Sequence, residues 1–259
     1  MNSQSSPTLL SVGDPPPFQI HNPDGASPFL LIGDHAGNVV PGALDRLGLN
    51  DAELGRHIGW DIGIAGLGVR LAEALGAVFI RQTYSRLVID CNREPGAPDA
   101  MPEVSDKTLV PANQGLGEAA RAARVDEIHA PYHAAIASEL ARRDAAGIDT
   151  ILVALHSFTP AMQGVPRPWQ IGILHSGGDA SFALALLRGL RERGDLTVGD
   201  NQPYAMDGID YTVPRHAFEA RRRYAEIEIR QDLLATGDQQ AGWSELLAVM
   251  LTAAGLRAE

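Results

Sequence analysis

The segment PFLLIGDHAGN, residues 28–38, decides the fold that we expect for this chain. Its apolar run, residues 29–32, stops at Gly33, and Asp34 and His35 follow at once in a glycine-containing loop. A short apolar run bounded by turn residues is typical of a buried strand in a parallel sheet. Ligands of open α/β sheets bind beyond the carboxyl ends of such strands. His35 is therefore either a candidate metal ligand or an ordinary histidine in a turn.

Beyond this segment, apolar runs typical of strands alternate with helical patterns, which indicates an α/β fold with a largely parallel sheet. Because the chain shows no internal repeat and no domain linker, we expect a flexible tail over residues 1–17 and a single α/β domain over residues 18–259. The predicted strands cover residues 18–21, 29–32, 77–80, 87–89, 150–155, 170–174 and 225–229. The predicted helices cover residues 51–58, 61–75, 118–146 (with a break near Pro131 left open), 179–193, 216–222 and 242–254.

The composition of the 259-residue chain narrows the class of protein. A net charge of −11 argues against nucleic acid and anionic membranes as partners, because both attract basic surfaces. The single cysteine, Cys91, excludes an intrachain disulfide and suits a reducing compartment. Residues 1–17 lack the pattern of a signal peptide, and no apolar stretch approaches membrane-spanning length. We therefore expect a cytoplasmic enzyme or binding protein.

Two predicted strands present a histidine in the same way, since LLIGDH ends at His35 and ILVALH ends at His156. If these strands lie near each other, both imidazoles project into one crevice. A catalytic zinc commonly takes two histidines, one carboxylate and a water. The candidate carboxylate is Asp61 at the predicted start of a helix, with His57 as the rival ligand four residues earlier. The alternative interpretation of Asp61 is an ordinary helix cap.

A second group of candidates lies in the segment YSRLVIDCNR, residues 84–93. Arg86 and Arg93 flank a predicted core strand, and Asp90 and Asn92 follow its carboxyl end. An arginine side chain can bind a carboxylate through two parallel hydrogen bonds, so two arginines here suit a small acidic substrate. The alternative is that Asp90 pairs with one of the arginines and so satisfies buried polar groups.

Carboxylates alternate along the predicted strand at residues 225–229. The period of two places Glu226 and Glu228 on one face, opposite Ile227 and Ile229. This face is either a solvated edge or a wall of the crevice. In the second case, one glutamate could be the general base that deprotonates a water at the metal.

Three further residues carry potentially reactive side chains. His129 and His133 are four residues apart in the predicted helix around Pro131. They are candidates for metal ligation, for hydrogen bonding or for stabilising an oxyanion. Cys91 lies against an apolar run, which favours a buried, inert thiol over a nucleophile.

Six motifs, taken in order and spacing, resemble the N-formylglutamate amidohydrolase family over about residues 28–235. The motifs are DHAGN (34–38), HIGWDIG (57–63), YSRLVIDCNR (84–93), PYH (131–133), LHSF (155–158) and IEIRQDL (227–233). The resemblance implies a fold similar to the zinc carboxypeptidases, which is a mixed sheet with helices on both faces. It also implies a metal-dependent hydrolase that removes formyl or a similar acyl group from an amino acid.

Carried over position by position, the resemblance implies one zinc ion (Zn²⁺) held by His35, Asp61 and His156. Glu228 matches the catalytic glutamate of the family. Many relatives have PHSG where this chain has DHAG, a change that keeps the histidine and alters its surroundings. Asp34 is then expected to orient His35 through the second ring nitrogen.

The resemblance also implies how an acidic substrate is held. Arg86 and Arg93 match the arginines of the family's SR…NR segment, which are expected to bind substrate carboxylates, and Arg86 is a candidate catalytic residue as well. Asn92 and His133 complete the predicted substrate-binding set. The expected reaction is hydrolysis of N-formyl-L-glutamate to formate and L-glutamate. The rival interpretation is a metal-free protein of the same fold that binds small acidic ligands.

Overall fold

The computed structural model describes residues 8–257 of the chain, and its central feature is a seven-stranded sheet. The strands are β1 (Phe18–His21), β2 (Phe29–Gly33), β3 (Val78–Gln82), β4 (Val104–Ser105), β5 (Thr108–Leu109), β6 (Ile151–Phe158), β7 (Ala161–Met162), β8 (Val165–Pro166), β9 (Ile171–Leu174), β10 (Val198–Asp200) and β11 (Tyr224–Arg230). The helices are α1 (Asp51–Leu54), α2 (Ile64–Leu75), α3 (Glu118–Arg124), α4 (Ala130–Ala145), α5 (Ser181–Arg193) and α6 (Gly237–Arg257). Within residues 8–257, no helix combines the length and the hydropathy that a membrane-spanning segment requires.

The strand order of the large sheet is β1-β3-β2-β6-β11-β9-β10. The pairs β2–β3, β2–β6, β6–β11 and β9–β10 are parallel, whereas β1–β3 and β9–β11 are antiparallel. The strands β4 and β5 form one small hairpin, and β7 and β8 form another. The predicted fold class, α/β with a mixed and mostly parallel sheet, is therefore confirmed.

Side chains of successive strand residues alternate between two apolar layers, one on each face of the sheet. Leu31 of β2 belongs to the layer that includes residues of α2, α5 and α6. Leu30 and Ile32 belong to the opposite layer, which includes Tyr132 and Ile136 of α4. Because both layers are closed by helices, the sheet is buried on both faces, which explains the continuous apolar runs in its central strands.

The apolar run at residues 87–89, predicted as a strand, instead forms a turn, so that prediction is wrong. The carbonyl of Leu87 accepts a hydrogen bond from Asn113 Nδ2 at 2.9 Å, and the carbonyl of Val88 accepts one from Arg124 Nη1 at 2.8 Å. These side chains satisfy backbone groups that a neighbouring strand would otherwise have to satisfy. The apolar side chains of the run pack in a third cluster, formed mainly by loops.

The strand β6 is longer than predicted, because it continues through His156 to Phe158. The reason is the neighbouring strand β11, which pairs with it in parallel register as far as Phe158 and Arg230. His156 therefore lies inside a strand, whereas it was expected just beyond a strand end. His35 lies where the sequence predicts it, in the turn directly after β2.

Further segments differ from the prediction. The helix expected over residues 51–58 ends at Leu54, and the helix expected over residues 216–222 is a π-helical turn, Pro214–Phe218. The helix expected over residues 118–146 is α3 and α4 joined by a π-helical turn, Val125–His129, so the irregularity precedes Pro131. A short edge strand, β10, lies where the sequence predicts neither a strand nor a helix. The π-helical turn before Pro131 and the strand β10 depend on tertiary contacts that leave no periodic pattern in the sequence.

Part of the flexible tail predicted over residues 1–17 lies outside the described residues, namely residues 1–7. In the described part, the amides of Leu9 and Leu10 donate to the Glu127 carboxylate at 2.7 and 2.8 Å. The carbonyl of Pro15 accepts a hydrogen bond from the Tyr84 hydroxyl at 2.6 Å. These contacts pack residues 9–15 against the rest of the chain. The division into a tail and one domain at residue 18 stays a prediction.

Candidate active site

The three predicted metal ligands converge on the α4 side of the sheet, beyond β2 and beside β6. One potential ligand atom from each of His35, Asp61 and His156 lies within 4.8 Å of the other two, and all three side chains are buried. The Nδ1 atoms of His156 and His35 lie 3.0 and 3.5 Å from the same oxygen, Asp61 Oδ2. The group could therefore hold a metal ion, as the sequence predicts.

Main-chain hydrogen bonds fix the position of Asp61. Its amide donates to the carbonyl of His35 at 2.8 Å, which ties the turn before α2 to the loop after β2. The amide of Ser157 donates to Asp61 Oδ2 at 3.2 Å and so joins β6 to the same carboxylate. The residue at the N-terminal cap of α2 is Gly63, and no side chain caps this helix. The interpretation of Asp61 as a helix cap is therefore wrong.

Each of the two histidines also faces a second carboxylate through Nε2. His35 Nε2 is hydrogen-bonded to Asp90 Oδ1 at 2.7 Å, whereas His156 Nε2 lies 3.3 Å from Asp34 Oδ2. Asp34 is held in turn by the Thr212 hydroxyl, which donates to its Oδ1 at 3.0 Å. The expectation that Asp34 orients His35 is wrong: Asp90 contacts His35, and Asp34 contacts His156. Such outer carboxylates fix the orientation of histidines that bind metals.

The charges of these groups suit a bound cation. Burial opposes ionisation of Asp61, but the charges and hydrogen bonds of His35 and His156 outweigh it and hold the pKa of Asp61 well below its ordinary value. Burial likewise opposes protonation of His156, but Asp34 and Asp61 raise its pKa well above the usual range. His35 Nδ1 is buried and has no hydrogen-bond partner among residues 8–257. Ionised carboxylates around two imidazoles, each with one ring nitrogen that has no hydrogen-bond partner among residues 8–257, fit a divalent metal such as zinc.

A cavity of about 260 Å³ opens beside this group and is lined by Arg86. The guanidinium of Arg86 donates through Nε and Nη2 to Asp90 Oδ2 at 3.0 and 2.6 Å. Its Nη1 lies 3.6 Å from Asp61 Oδ1. Asp90 therefore does pair with one of the arginines, as the alternative interpretation has it, and it also contacts His35. His57, the rival ligand, lines the cavity but does not belong to the group that could hold a metal.

Glu226 and Glu228 also line the cavity, so the interpretation of their strand face as a solvated edge is wrong. The two side chains are only 3% and 6% exposed. Within residues 8–257, the Oε2 atom of each has no hydrogen-bond partner. Burial raises the pKa of each carboxyl to about 8. Glu228 pairs in register with His156 across β11 and β6, which places its backbone next to that of the potential ligand.

The predicted substrate-binding residues Arg93 and Asn92 both line the cavity. Arg93 Nε donates to Asp99 at 2.8 Å, at the surface. Asn92 Oδ1 accepts hydrogen bonds from the amides of Tyr211 and Thr212 at 3.0 and 2.9 Å. Asn92 thus fixes the segment that carries Thr212, which is a structural role that its position next to an arginine did not reveal.

The predicted residue His133 does not line this cavity. It is buried, with Nε2 2.9 Å from the Cys91 carbonyl and Nδ1 3.0 Å from His216 Nε2. Burial lowers the pKa of His133 to about 3 and that of His216 to about 4, so both rings are neutral near pH 7. His129 is also buried, and its Nε2 lies 3.1 Å from the Arg93 carbonyl. Cys91 is a buried free thiol, as expected.

Sequence reasoning missed the wall of the cavity that lies between β10 and the π-helical turn Pro214–Phe218. Tyr204, Asp207 and Asp210 of this segment line the cavity. The segment has neither strand nor helix periodicity, so no local pattern assigns its side chains to the site. Its Pro, Gly and Asp content identifies a loop, but the direction in which a loop folds depends on tertiary contacts.

The fold and this site define an α/β protein with a buried group that could hold a metal ion beside a polar cavity. The profile of the N-formylglutamate amidohydrolase family matches residues 27–235. The chain therefore belongs to the N-formylglutamate amidohydrolase family, as its motifs predict. A search of curated protein sequences gives no significant match.

Among the solved structures that match, two are similar to this chain over nearly their full length and have TM-scores above 0.5. A gene product from Agrobacterium tumefaciens is 35% identical, with a TM-score of 0.93, and the match covers 96% of this chain and 98% of that chain. The N-formylglutamate amidohydrolase from Ralstonia eutropha JMP134 is 21% identical, with a TM-score of 0.67 and coverage of 93% and 98%. At 21% identity, the similarity to the Ralstonia protein shows only that the two proteins share a fold.

Proposed function

We propose that this protein is a zinc-dependent amidohydrolase that cleaves N-formyl-L-glutamate, or a closely related N-acyl amino acid, into the free acid and the amino acid. The observation that carries the proposal is the convergence of His35 Nδ1 and His156 Nδ1 on one oxygen of Asp61, beside a cavity. Membership of the family supports amide hydrolysis. The name of the Ralstonia protein of the same fold supports N-formylglutamate as the first substrate to test.

His35, Asp61 and His156 would hold the zinc ion. Two histidines and one carboxylate are a set that catalytic zinc sites commonly use, and such sites keep one position open. Bound zinc supplies Lewis-acid polarisation of the amide carbonyl and lowers the pKa of water. Asp34 and Asp90 keep the two imidazoles in fixed orientations through their Nε2 atoms.

Glu228 is the proposed general base and acid. In its ionised form, the carboxylate would take the proton from the attacking water and then deliver it to the departing nitrogen. The supporting observations are its position on the cavity wall and its unpartnered Oε2 atom. Glu226 shares these two properties, so the family motif IEIRQD is what favours Glu228 over Glu226.

Arg86 and Arg93 are the proposed contacts of the substrate within the cavity. Arg86 Nη1 is the guanidinium nitrogen closest to Asp61, and from there it can stabilise negative charge that develops on the amide oxygen. Arg93 also lines the cavity and is proposed to bind the α-carboxylate. Asn92 acts indirectly, because it holds the loop around Thr212.

The proposal is tested by purifying the protein, measuring zinc by elemental analysis and measuring formate release from N-formyl-L-glutamate. His35→Ala should lose both zinc and turnover, because it removes one of three ligands. Glu228→Gln should keep zinc and lose most of kcat, because an amide cannot accept the proton. A His35→Ala protein with full activity would disprove the scheme. Zinc-free wild-type protein that cannot be loaded and releases no formate would instead indicate a binding protein for small acids.

The proposed compartment is the cytoplasm. The single cysteine, Cys91, is a buried free thiol, and a chain without disulfides suits a reducing environment. The net charge of −11 supports a small-molecule substrate rather than nucleic acid as the partner.

A further inference from the structure

The charges of the two arginines that line the cavity are already largely neutralised by carboxylates of the protein. Arg86 forms two hydrogen bonds to Asp90 and also lies 3.6 Å from Asp61. Arg93 is paired with Asp99 at 2.8 Å and lies 4.0 Å from Asp210. A substrate with two carboxylates needs more positive charge than these paired side chains offer.

Another part of the cavity wall, next to Arg93, carries carboxyl groups. Asp207 and Asp210 line it together with Glu226. The ionised aspartates in this part of the wall would repel a second substrate carboxylate unless a cation lay nearby. A preference for an acidic amino acid would therefore require a further basic side chain beside the cavity.

Arg167 is a basic side chain that does not itself line the cavity but contacts residues that do. It follows the β7–β8 hairpin, and its guanidinium Cζ lies 4.8 Å from the ring centroid of Tyr204 and 5.9 Å from that of Phe158, two residues that line the cavity. Its Nη1 donates to the Tyr204 hydroxyl at 3.0 Å. Among residues 8–257, no carboxylate lies within 4 Å of this guanidinium, so Nε and Nη2 keep donors free for a ligand.

The backbone and the two rings fix the position of Arg167. Its amide donates to the Pro160 carbonyl at 2.8 Å, and its carbonyl accepts a hydrogen bond from Arg230 Nη1 at 3.4 Å. Burial raises the pKa of Glu228, and the charge of Arg167 acts against this rise, so the guanidinium is within electrostatic range of the cavity. A planar guanidinium group held against aromatic rings loses little side-chain freedom when it binds a carboxylate through two hydrogen bonds.

We propose that Arg167 binds the side-chain carboxylate of the substrate and thereby selects dicarboxylic N-acyl amino acids over neutral ones. This inference rests on the proposed function, because it assumes that the cavity takes an N-acyl amino acid. In this arrangement Arg93 holds the α-carboxylate and Arg167 the second one. Arg167 is a specificity-determining residue and takes no part in proton transfer.

The test is a comparison of binding between two substrates that have nearly the same shape. N-formyl-L-glutamate and N-formyl-L-glutamine are titrated calorimetrically into zinc-loaded Glu228→Gln protein, in which turnover is slow. The same titrations are made with Arg167→Met, Arg167→Lys or Arg193→Met added. Arg193 pairs with Asp195 at the surface and serves as the matched control. The readout is the ratio of the two Kd values on one protein, so a partly inactive preparation does not change it.

We expect the Glu228→Gln protein to bind N-formyl-L-glutamate about 10- to 100-fold more tightly than N-formyl-L-glutamine, as charge-assisted hydrogen bonds imply. Arg167→Met should reduce this ratio to about threefold or less, mainly by weakening glutamate binding, and Arg167→Lys should give an intermediate ratio. Arg193→Met should leave the ratio unchanged. A ratio that Arg167→Met does not change, or a parent protein with no preference, overturns the inference.

Formate release by the wild-type protein is measured separately and decides the proposed function. An Arg167-dependent preference without formate release supports the inference and overturns the proposed hydrolysis. Formate release together with a preference that does not depend on Arg167 supports hydrolysis and overturns the inference.

Discussion

The substitution Asp90→Asn tests whether the carboxylate behind His35 controls zinc affinity. Asp90 Oδ1 is hydrogen-bonded to His35 Nε2 and to the amide of Asn92, while Oδ2 accepts two hydrogen bonds from Arg86. An asparagine has nearly the same shape but only one acceptor oxygen. If its amide nitrogen faces Arg86, two guanidinium donors lose their acceptor. If it faces His35, it can donate to Nε2 and favours a proton on Nδ1, the atom that faces Asp61.

Both orientations of the asparagine weaken the site, and the size of the effect can be stated. Loss of a carboxylate behind a metal-binding histidine typically lowers metal affinity about 10- to 100-fold, or about 1.4–2.8 kcal/mol. The metal-free protein should also lose about 3 kcal/mol of unfolding free energy, because the mostly buried Arg86 then lacks its closest counter-charge.

Zinc affinity is measured by competition with a chromophoric chelator, and stability by urea denaturation of the metal-free protein. The matched control is Asp144→Asn, because Asp144 also forms two hydrogen bonds to one arginine, Arg222, but is 53% exposed. The control should change zinc affinity less than about twofold, since exposed ion pairs contribute little. A wild-type zinc affinity in Asp90→Asn would refute the role assigned to this carboxylate.

Two further predictions concern the stability of the fold. Gly37→Ala should destabilise the protein by about 3 kcal/mol in urea denaturation, because a Cβ would lie 2.0 Å from the backbone oxygen of Thr83. An unchanged free energy of unfolding would contradict this close approach. The pKa values of His216 (about 4) and His133 (about 3) lie below the ordinary histidine value near 6.5. Below pH 6.5 the unfolded chain therefore binds protons that the folded chain does not. The free energy of unfolding should fall as the pH falls below 6.5. His216→Phe should reduce this loss between pH 6.5 and 5 by about 1 kcal/mol per pH unit in metal-free protein, and an unchanged slope would show that His216 titrates normally.

The potential histidine ligands were predictable from the sequence because the end of an apolar run marks the end of a buried strand. A buried parallel strand ends where its apolar run ends, and this places His35 at the edge of the sheet where ligands bind. His156 was identified by the same argument although its strand continues further, since β11 extends the pairing. The face that a strand residue occupies follows from the period of two, which also placed Glu226 and Glu228 together.

Contacts between distant segments could not be predicted in the same way. Which carboxylate faces which histidine depends on how the loops after β2 and β3 pack together. Asp34 directly precedes His35 in the sequence but contacts His156, whereas the distant Asp90 contacts His35. The strand wrongly predicted at residues 87–89 shows the same limit. Its composition is typical of a strand, but side chains from Asn113 and Arg124 satisfy its carbonyls.

The hydrogen bonds that position Asp61 have a consequence for how the protein would acquire its metal. The amide of Asp61 is bonded to the loop of His35, and the amide of Ser157 is bonded to the Asp61 carboxylate, so the main chain already links all three ligand segments. The conformational entropy that is lost when the three ligand segments come together is therefore lost during folding and not during metal binding. We expect the folded chain to persist without the ion, so that, under the proposed function, changes in zinc supply would alter activity while the amount of protein stays constant.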